Sequence, residues 1–242
     1  MTTGEPHPSE GRSPSADAGH GDVLWLRGGT ESPTRRAAPL TLERIVAAAV
    51  VELDEHGAER LTMRRLAQRL AVSSTALYWH VSTKEDLLDL AVDHIVGEVP
   101  IPEAGPDPRS AVRALLSGWR AAMLAHPWSP GLLGRPLLGP NVLARIEFLQ
   151  AMLTRAGRSG MELASATRLL SDFVIGTAMT DATWLRLDDP DVLDKARAHI
   201  VGLRERYPTL STSGFVEGAW SNDDLFQHSL SRILDMLMPV PG

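Results

Sequence analysis

Hydroxyl and cationic side chains mark the starts of helical segments between residues 62 and 84. Thr62 and Ser73 each precede a helical pattern, and Arg64 lies in the first turn after Thr62. Lys84 lies at the start of a further helical pattern. Helix N-termini carry free backbone N–H groups and the positive end of the helix dipole, both of which favour phosphate. These residues therefore predict a surface that binds phosphate.

The charge distribution supports a local anion-binding surface. The chain has 242 residues and a net charge of −6, but residues 35–84 carry eight Arg or Lys and five Asp or Glu, a net of +3. A basic segment in an acidic chain is a candidate phosphate-binding footprint. A chance fluctuation in composition is the alternative.

Other chemistries lack their residues in this sequence. The absence of Cys excludes disulfides, a thiol nucleophile and a cysteine-based zinc site. The sequence has no glycine-rich phosphate loop, no Ser-His-Asp order and no HExxH helix, and no two His residues lie four positions apart. We therefore expect no catalytic residues, no cofactor and no metal ion. No apolar run approaches the length of a membrane span, so we expect a soluble, cytoplasmic protein.

The basic segment has the helix order of a helix-turn-helix unit. Apolar residues recur at three- and four-residue spacings over a long first helix, which Thr41 can cap and Gly57 can end. Two short helices follow the hydroxyl residues described above, with a tight turn between them. Ser82 and Glu85 predict a capping box for a fourth helix that ends near Val96.

The third helix of this unit has an inner side and an outer side. Its inner positions, which face the first two helices, are Ala76, Leu77 and Val81. Its outer side is open to the major groove of DNA, which is wide enough for one helix. The outer side chains are Ser74, Thr75, Tyr78 and His80.

The remainder of the chain is also helical, because no strand pattern of period two persists. Residues 97–108 predict a linker, and Asp107 with Pro108 starts a helix that reaches about His126. Residues 127–140 predict a loop with at most a short helix. Further helices are expected at about 141–156, 161–187, 190–208 and, after the cap Ser221, 222–238.

These patterns predict an all-α protein in three parts. Residues 1–38, which are rich in Gly, Pro, Ser and Thr, predict a largely disordered arm interrupted by the apolar island Val23–Arg27. Residues 39–96 predict the helix-turn-helix domain. Residues 97–242 predict a second helical domain.

The sequence of the first domain closely resembles the DNA-binding domain of the TetR family of transcriptional regulators. The segments Leu61–Leu70, Leu77–Val81 and Lys84–Leu88 carry the resemblance, which extends over residues 41–96. The second domain is similar to the family in its helix order and in short pieces such as Phe173–Gly176. The resemblance implies that this second domain is the ligand-binding and dimerisation domain.

The family's DNA contacts carry over to this chain by motif. The resemblance implies that Arg64 reaches a base edge, where its guanidinium matches the two acceptors of guanine. Trp79 is expected to be mainly a core residue, as aromatic residues at helix ends often are. The other implied contacts are the base-reading positions Ser74, Thr75 and Ala76 and the phosphate contacts Tyr78, His80 and Lys84.

The resemblance also implies a homodimer on a palindromic operator in double-stranded DNA. In this family two C-terminal helices from each subunit form a four-helix bundle, and here they would be about 161–187 and 222–238. A two-fold dimer places two reading helices about one helical turn apart on the DNA. The apolar faces of these helices are expected to be Leu169, Leu170, Phe173, Met179, Leu225, Leu230, Ile233, Leu234 and Leu237.

The ligand implied by the resemblance is an unknown small molecule. Members of the family that bind tetracycline hold it through a magnesium ion with a His and a carboxylate. This chain has Leu132 and Thr180 near the matching points, so we expect no metal chelate. An apolar, aromatic pocket is expected instead, although each of its residues could equally be an ordinary core residue. The expected pocket residues are Trp119, Met123, Trp128, Phe148, Met152, Phe173, Thr177 and Trp184.

The function expected from these features is a homodimeric repressor that a small, largely apolar ligand releases from its operator. Within regulation, an activator or a regulator that needs its ligand to bind DNA is the alternative. From other classes, an enzyme with a vestigial DNA-binding domain or a protein-binding scaffold is the alternative. Binding driven by phosphate contacts falls steeply with salt, whereas a scaffold would have no operator affinity.

The N-terminal arm gives a first prediction. Arg27, Arg35 and Arg36 precede the first helix, where arms of other helical DNA-binding domains enter the minor groove. A solvated tail, or docking of the island Val23–Arg27 on the rest of the protein, is the alternative. Deleting residues 1–37 should leave the helicity and the dimer intact, weaken operator binding and flatten the salt dependence by ~0.9 for each phosphate that the arm neutralises. Titrations of operator binding over a series of salt concentrations measure this, and an unchanged affinity and slope would exclude the arm from DNA binding.

Overall fold

The described part of the chain is entirely helical. A computed structural model describes residues 39–133, 137–185 and 191–239, and contains no strand within them. The predicted arm, with Arg27, Arg35 and Arg36, lies outside the described residues. A 3-10 helix, Pro130–Leu132, lies between the fifth and sixth of the eleven α-helices in these ranges. The α-helices are α1 Leu42–His56, α2 Met63–Leu70, α3 Ser74–Tyr78, α4 Lys84–Gly97, α5 Pro108–Ala125, α6 Pro140–Arg155, α7 Gly160–Leu185, α8 Val192–Gly202, α9 Pro208–Ser211, α10 Gly214–Glu217 and α11 Asn222–Leu237.

The helices of the head, α1 to α4, begin at hydroxyl caps. The side chains of Thr41, Thr62 and Ser73 each accept a hydrogen bond from the backbone N–H three residues later, at 3.2 Å. The predicted capping box of α4 is wrong by one residue, because Thr83 and Asp86 form it. The neighbouring Ser82 has the same spacing to an acidic residue, so the sequence does not distinguish the two registers.

A compact apolar centre holds the head together. α1 packs against both α2 and α4, and α2 packs against α3. Ile45, Leu53, Leu66, Leu77 and Val81 are at most 1% exposed in this centre. The first, long helix therefore supports the short helices of the unit.

The turn between α2 and α3 contains a residue in the left-handed region. Ala71 has φ +55° and ψ +42°, and its N–H donates to the carbonyls of Ala67 and Gln68. It is the one non-glycine residue with positive φ in the described chain. The methyl group makes this conformation unfavourable by about 1–2 kcal/mol. The turn that sets the angle between α2 and α3 is therefore strained.

The helices α5 to α11 form the second part of the protein, the body. It is built around α5, which packs against α6 and α7, while α7 also packs against α11. No helix among the described residues combines the length and apolarity that a membrane span requires. The prediction of a helix that reaches Pro208 is wrong, because α8 ends at Gly202 and α9 begins anew at Pro208. α8 has no buried residue, so tertiary packing does not extend it.

Helices α4 and α6 cap each other inside the protein. Asp93 of α4 is 4% exposed, and its carboxylate accepts hydrogen bonds from Val142 N at 2.9 Å and Asn141 Nδ2 at 3.0 Å, at the start of α6. Arg145 of α6 is 5% exposed and donates from Nη2 to the carbonyl of Gly97 at 2.7 Å, at the end of α4. It also donates from Nε to Val99 O at 2.9 Å. Burial lowers the pKa of Arg145, and the charge of Asp93 opposes that shift.

Replacing Arg145 tests how much this exchange of caps stabilises the fold. Arg145→Met should lower the free energy of unfolding by about 3 kcal/mol, because the carbonyls of Gly97 and Val99 lose their donor and the buried Asp93 carboxylate loses a nearby positive charge. Urea denaturation followed by circular dichroism measures the change. Arg168→Met is the control, since Arg168 is exposed and its one ion pair within the described residues is with exposed Asp172, and it should cost less than about 1 kcal/mol. Equal losses in the two variants would show that the caps do not stabilise the fold.

Candidate DNA interface and ligand cavity

The outer surface of α3 carries the polar residues that were expected to face DNA. Thr75, Tyr78 and His80 are exposed, while Ser74 and Ala76 are half-buried. The inner residues Leu77 and Val81 are buried against the rest of the head. Thr75, Tyr78 and His80, three of the side chains expected to face outward, are therefore open to solvent.

Trp79 corrects the sequence analysis. It was expected to be mainly a core residue, but it is 85% exposed. Leu77 and Val81, four residues apart, already occupy the inner side, so the three residues between them lie outside. This spacing is the signal that could have predicted the exposure of Trp79. The exposed indole adds an aromatic side chain to the α3 surface, beside Tyr78.

The expected phosphate contacts at the helix starts already have protein partners. The hydroxyls of Thr62 and Ser73 are exposed and cap the N-termini of α2 and α3. Lys84 is half-buried, and its Nζ donates to the carbonyl of Ala58 at 2.9 Å. An ammonium group has three donors, so this contact leaves two for other acceptors.

Two of the arginines of α2 are bound by a buried carboxylate of α1. Glu52 is 3% exposed and accepts from Arg65 Nε at 2.6 Å and from Arg69 Nε at 2.9 Å. Arg69 also pairs with Glu55. Burial raises the pKa of Glu52, but hydrogen bonds from Arg69 and Arg65 outweigh it, and the pKa lies below its ordinary value. Arg64 is exposed, and no partner for it occurs among the described residues, so its guanidinium is available for a ligand.

The same cluster includes three residues of metal-ligand type. Atoms of Glu52, Glu55 and His56 lie within 4.8 Å of one another. Arg65 and Arg69 already occupy the carboxylate oxygens and supply positive charge. The cluster is therefore an ion-pair network, and its residues do not fit a metal ion.

A cavity of about 220 Å³ lies between the end of α4 and the helices of the body. Its walls are aliphatic and aromatic, apart from the hydroxyl of Ser171, which donates to the carbonyl of Thr167 at 2.9 Å. Two of the expected pocket residues, Trp119 and Met123, line it. The other lining residues are Val92, Ile95, Val96, Ala122, Leu133, Leu137, Val142, Ile146 and Ile175.

The other six expected pocket residues are not among the residues that line this cavity. Phe173 stacks on Phe226 with ring centroids 5.3 Å apart, and the hydroxyl of Thr177 donates to the carbonyl of Phe173 at 2.9 Å. Met152 is 3% exposed in the core. Phe148 and Trp184 are half-buried elsewhere, and Trp128 lies at the contact with the head. The cavity forms where aliphatic side chains of several helices do not meet, which aromatic composition alone does not predict.

Leu132 and Thr180, which stand near the family's metal-binding positions, also lie apart from the residues that line the cavity. Leu132 is half-buried in the 3-10 helix. Thr180 is exposed, and its hydroxyl donates to the carbonyl of Gly176 at 3.0 Å. Neither side chain supplies the imidazole or carboxylate that a magnesium chelate would use.

The segment that leads into the cavity loop is tied to the head. Asp54 of α1 accepts from Trp128 Nε1 at 2.7 Å, and its carboxylate lies 2.8 Å from His126 Nδ1. His126 Nε2 lies 3.3 Å from the carboxylate of Glu98 at the end of α4. Polar contacts therefore join the cavity side of the body to both α1 and α4.

The outer faces of α7 and α11 expose large apolar side chains. Leu169 and Met179 of α7 are 40% and 50% exposed, and Leu225 and Met236 of α11 are 49% and 61% exposed. The apolar faces expected from the sequence divide by their exposure. Leu169, Met179 and Leu225 are exposed, Phe173, Ile233 and Leu237 are half-buried, and Leu170, Leu230 and Leu234 are fully buried in the chain's own core.

Family models match both parts of the chain. Residues 45–91 match the model described as bacterial regulatory proteins, tetR family. Residues 101–238 match the model described as tetracyclin repressor-like, C-terminal domain. The first match lies on the head and the second on the body.

Relatives and solved structures agree with these matches. The chain is 40% identical over 199 residues to an HTH-type transcriptional regulator of Saccharopolyspora erythraea. The alignment covers 81% of this chain and 84% of that protein. It is 32% identical over 253 residues to the HTH-type transcriptional repressor DrrR1 of Streptomyces coeruleorubidus. This alignment covers 94% of this chain and 90% of DrrR1. The structure of the TetR family protein ActR from Streptomyces coelicolor in complex with actinorhodin matches with a TM-score of 0.73 and 31% identity, covering 83% of this chain and 97% of that chain.

The exposed, unpaired Arg64 gives a prediction about base reading. Arg64→Ala should weaken specific DNA binding by ~1–3 kcal/mol and relax the preference at one base pair, because the variant has no guanidinium to bind a base edge through two hydrogen bonds. Selection of bound duplexes from a random pool, followed by affinity measurements, tests both effects. Arg60→Ala is the matched control, because Arg60 is also exposed in the head without a partner among the described residues. An unchanged sequence preference in the Arg64 variant would contradict the assignment.

Proposed function

The chain belongs to the TetR family of bacterial regulatory proteins, and on this premise we propose that it is a homodimeric repressor. A small, largely apolar ligand releases it from a palindromic operator. The observation that carries the proposal is the apolar cavity beside α4, because this helix also supports the DNA-facing head. DrrR1, a relative, is named as a transcriptional repressor.

The DNA-binding part of the proposal rests on the surface of the head. α3 exposes polar and aromatic side chains, and Thr62 and Ser73 cap the N-termini of α2 and α3, whose backbone N–H groups favour phosphate. Arg64 is the guanidinium of α2 that is free to read a base. Tyr78, His80 and Lys84 are the proposed phosphate contacts, and Ser74, Thr75 and Ala76 lie where base edges would be read.

The homodimer is proposed from the exposed apolar faces of α7 and α11. Large apolar side chains are rarely exposed together on two neighbouring helices of a monomer. Pairing these faces across a two-fold axis would bury Leu169, Met179, Leu225 and Met236 in a four-helix bundle. The resulting symmetry requires two similar half-sites in the operator.

Release from DNA is proposed to start at the cavity. α4 contributes Val92, Ile95 and Val96 to its wall, so a ligand there contacts the helix that supports the head. A ligand shifts the equilibrium between two arrangements only by its difference in affinity for them. Apolar walls favour an apolar ligand. ActR, which has a similar fold, has been solved with actinorhodin, so that compound is a suitable first probe.

A two-step experiment tests the proposed function. Duplexes selected from a random pool should be palindromic, and the labelled complex should then release DNA when actinorhodin or smaller aromatic probes are added. Ala122→Phe, which fills the cavity, should keep operator affinity but need at least about ten times more probe, roughly 1.4 kcal/mol. Ala121→Phe is the control, because Ala121 is the exposed neighbour on the same helix. Magnesium with tetracycline should not release the DNA, since Leu132 and Thr180 provide no metal ligands of the required kind.

Three outcomes would contradict parts of this proposal. A pool with no enriched sequence would exclude operator binding. Equal probe sensitivity of the two Ala variants would place the ligand elsewhere. Release by magnesium and tetracycline would show that the chain retains a metal-chelate site.

A further inference from the structure

Most of the positively charged side chains of α2 are held in ion pairs within the head. α2 carries Arg64, Arg65 and Arg69, but the buried carboxylate of Glu52 holds the second and third of these. The two held side chains are still 40% and 30% exposed, so their guanidinium groups lie at the surface rather than in the core. Rotation away from Glu52 would return them to solvent.

Packing alone does not require a carboxylate at residue 52. Leu53 and Leu66 are fully buried between α1 and α2, so apolar contacts already hold these two helices together. A buried charge carries a desolvation penalty, and an apolar residue in its place is often as stable. The effect that a carboxylate adds at this position is to neutralise and orient the arginines of α2.

Free cations near DNA increase binding to every sequence. Phosphate contacts are independent of sequence, and each one strengthens non-specific binding and steepens its salt dependence. Arg65 directly follows Arg64 in the first turn of α2, close to the surface proposed to face DNA. A second mobile guanidinium there would compete for phosphates without reading bases.

We propose that Glu52 is a specificity-determining residue that withholds Arg65 and Arg69 from the DNA backbone. Arg64 is then the α2 guanidinium that meets the operator, and the non-specific affinity of the head stays low. This inference rests on the proposed DNA-binding function. Glu52, a residue of α1, thereby has a role in choosing the operator over other DNA.

Non-specific binding of the full-length protein to a random-sequence duplex tests the proposal. Fluorescence anisotropy over a series of salt concentrations gives the affinity and its salt slope. Glu52→Gln should bind this duplex several-fold more tightly than the wild type, with a slope steeper by about 0.9 for each guanidinium that reaches a phosphate. The double variant Glu52→Gln with Arg65→Gln should return most of the way to the wild-type slope.

Three further variants separate pairing from simple charge and from stability. Glu59→Gln also removes one negative charge from the head, but Glu59 is exposed and has no ion pair among the described residues, so its slope should stay at the wild-type value. Arg65→Gln alone should leave the slope unchanged. Arg64→Gln should flatten it by about 0.9, because on a random duplex, which offers no operator base, the exposed guanidinium neutralises a phosphate. This comparison does not depend on the folding of any Glu52 variant.

The outcomes distinguish this proposal from the proposed function. An unchanged slope in a folded Glu52→Gln, an equal change in Glu59→Gln, or a flattened slope in Arg65→Gln would each overturn the role of Glu52. A lower melting temperature of Glu52→Gln with a wild-type slope would likewise show that Glu52 stabilises the fold without affecting DNA binding. Operator selection could fail while Glu52→Gln still gains salt-dependent affinity for the random-sequence duplex. This result would contradict the proposed operator function but support the role of Glu52 in withholding Arg65.

Discussion

Asp93 and Arg145 each satisfy a helix end that would otherwise be left without partners in a dry interior. Asp93 serves the first N–H groups of α6, and Arg145 serves the last carbonyls of α4. Unpaired polar groups are expensive at such a place, so the two helix ends keep their relative position. This joint is connected to the rest of the head, because α4 packs against α1, which in turn packs against α2. The cavity also lies against it, between α4 and α6. A change in the width of the cavity therefore acts on a helix pair whose ends are fixed to one another.

Ion pairs and hydrogen bonds, rather than the number of basic residues, determine how many cationic groups the head exposes. The count of basic residues suggests a broad cationic surface, but Glu52 binds Arg65 and Arg69, and Lys84 is tethered to the turn between α1 and α2. Arg64 is left exposed at the N-terminus of α2, where helix geometry directs it outward. The surface that results is weakly cationic and chemically varied, with hydroxyl, aromatic and imidazole groups. On the proposed function, such a surface favours contacts that depend on the base sequence over those that depend on the backbone alone.

The helix starts of the head could be predicted because a capping hydroxyl followed by apolar periodicity is a local signal. The register of α4 could not, since Ser82 and Thr83 each precede an acidic residue by three positions. Trp79 shows that residue type is a weaker guide than position, because an indole outside the inner stripe is exposed whatever its hydrophobicity. The position of the cavity could not be predicted from the sequence for a different reason. A void is a property of several helices at once, and an isoleucine that lines it has the same sequence pattern as one that fills the core. Trp128, by contrast, resembled a pocket residue but uses its N–H to bind Asp54.

The left-handed Ala71 gives the head a dependence on temperature. A glycine there would remove about 1–2 kcal/mol of strain from the native turn. It would also give the unfolded chain more conformations, which disfavours folding by about 0.4–1 kcal/mol. At a positive φ the strain is the larger of the two effects, so the methyl group is a net destabilisation. Steric strain is largely enthalpic and changes little on warming, whereas the entropic penalty of the freer chain grows in proportion to absolute temperature. The net destabilisation by the methyl group therefore shrinks slightly as the temperature rises.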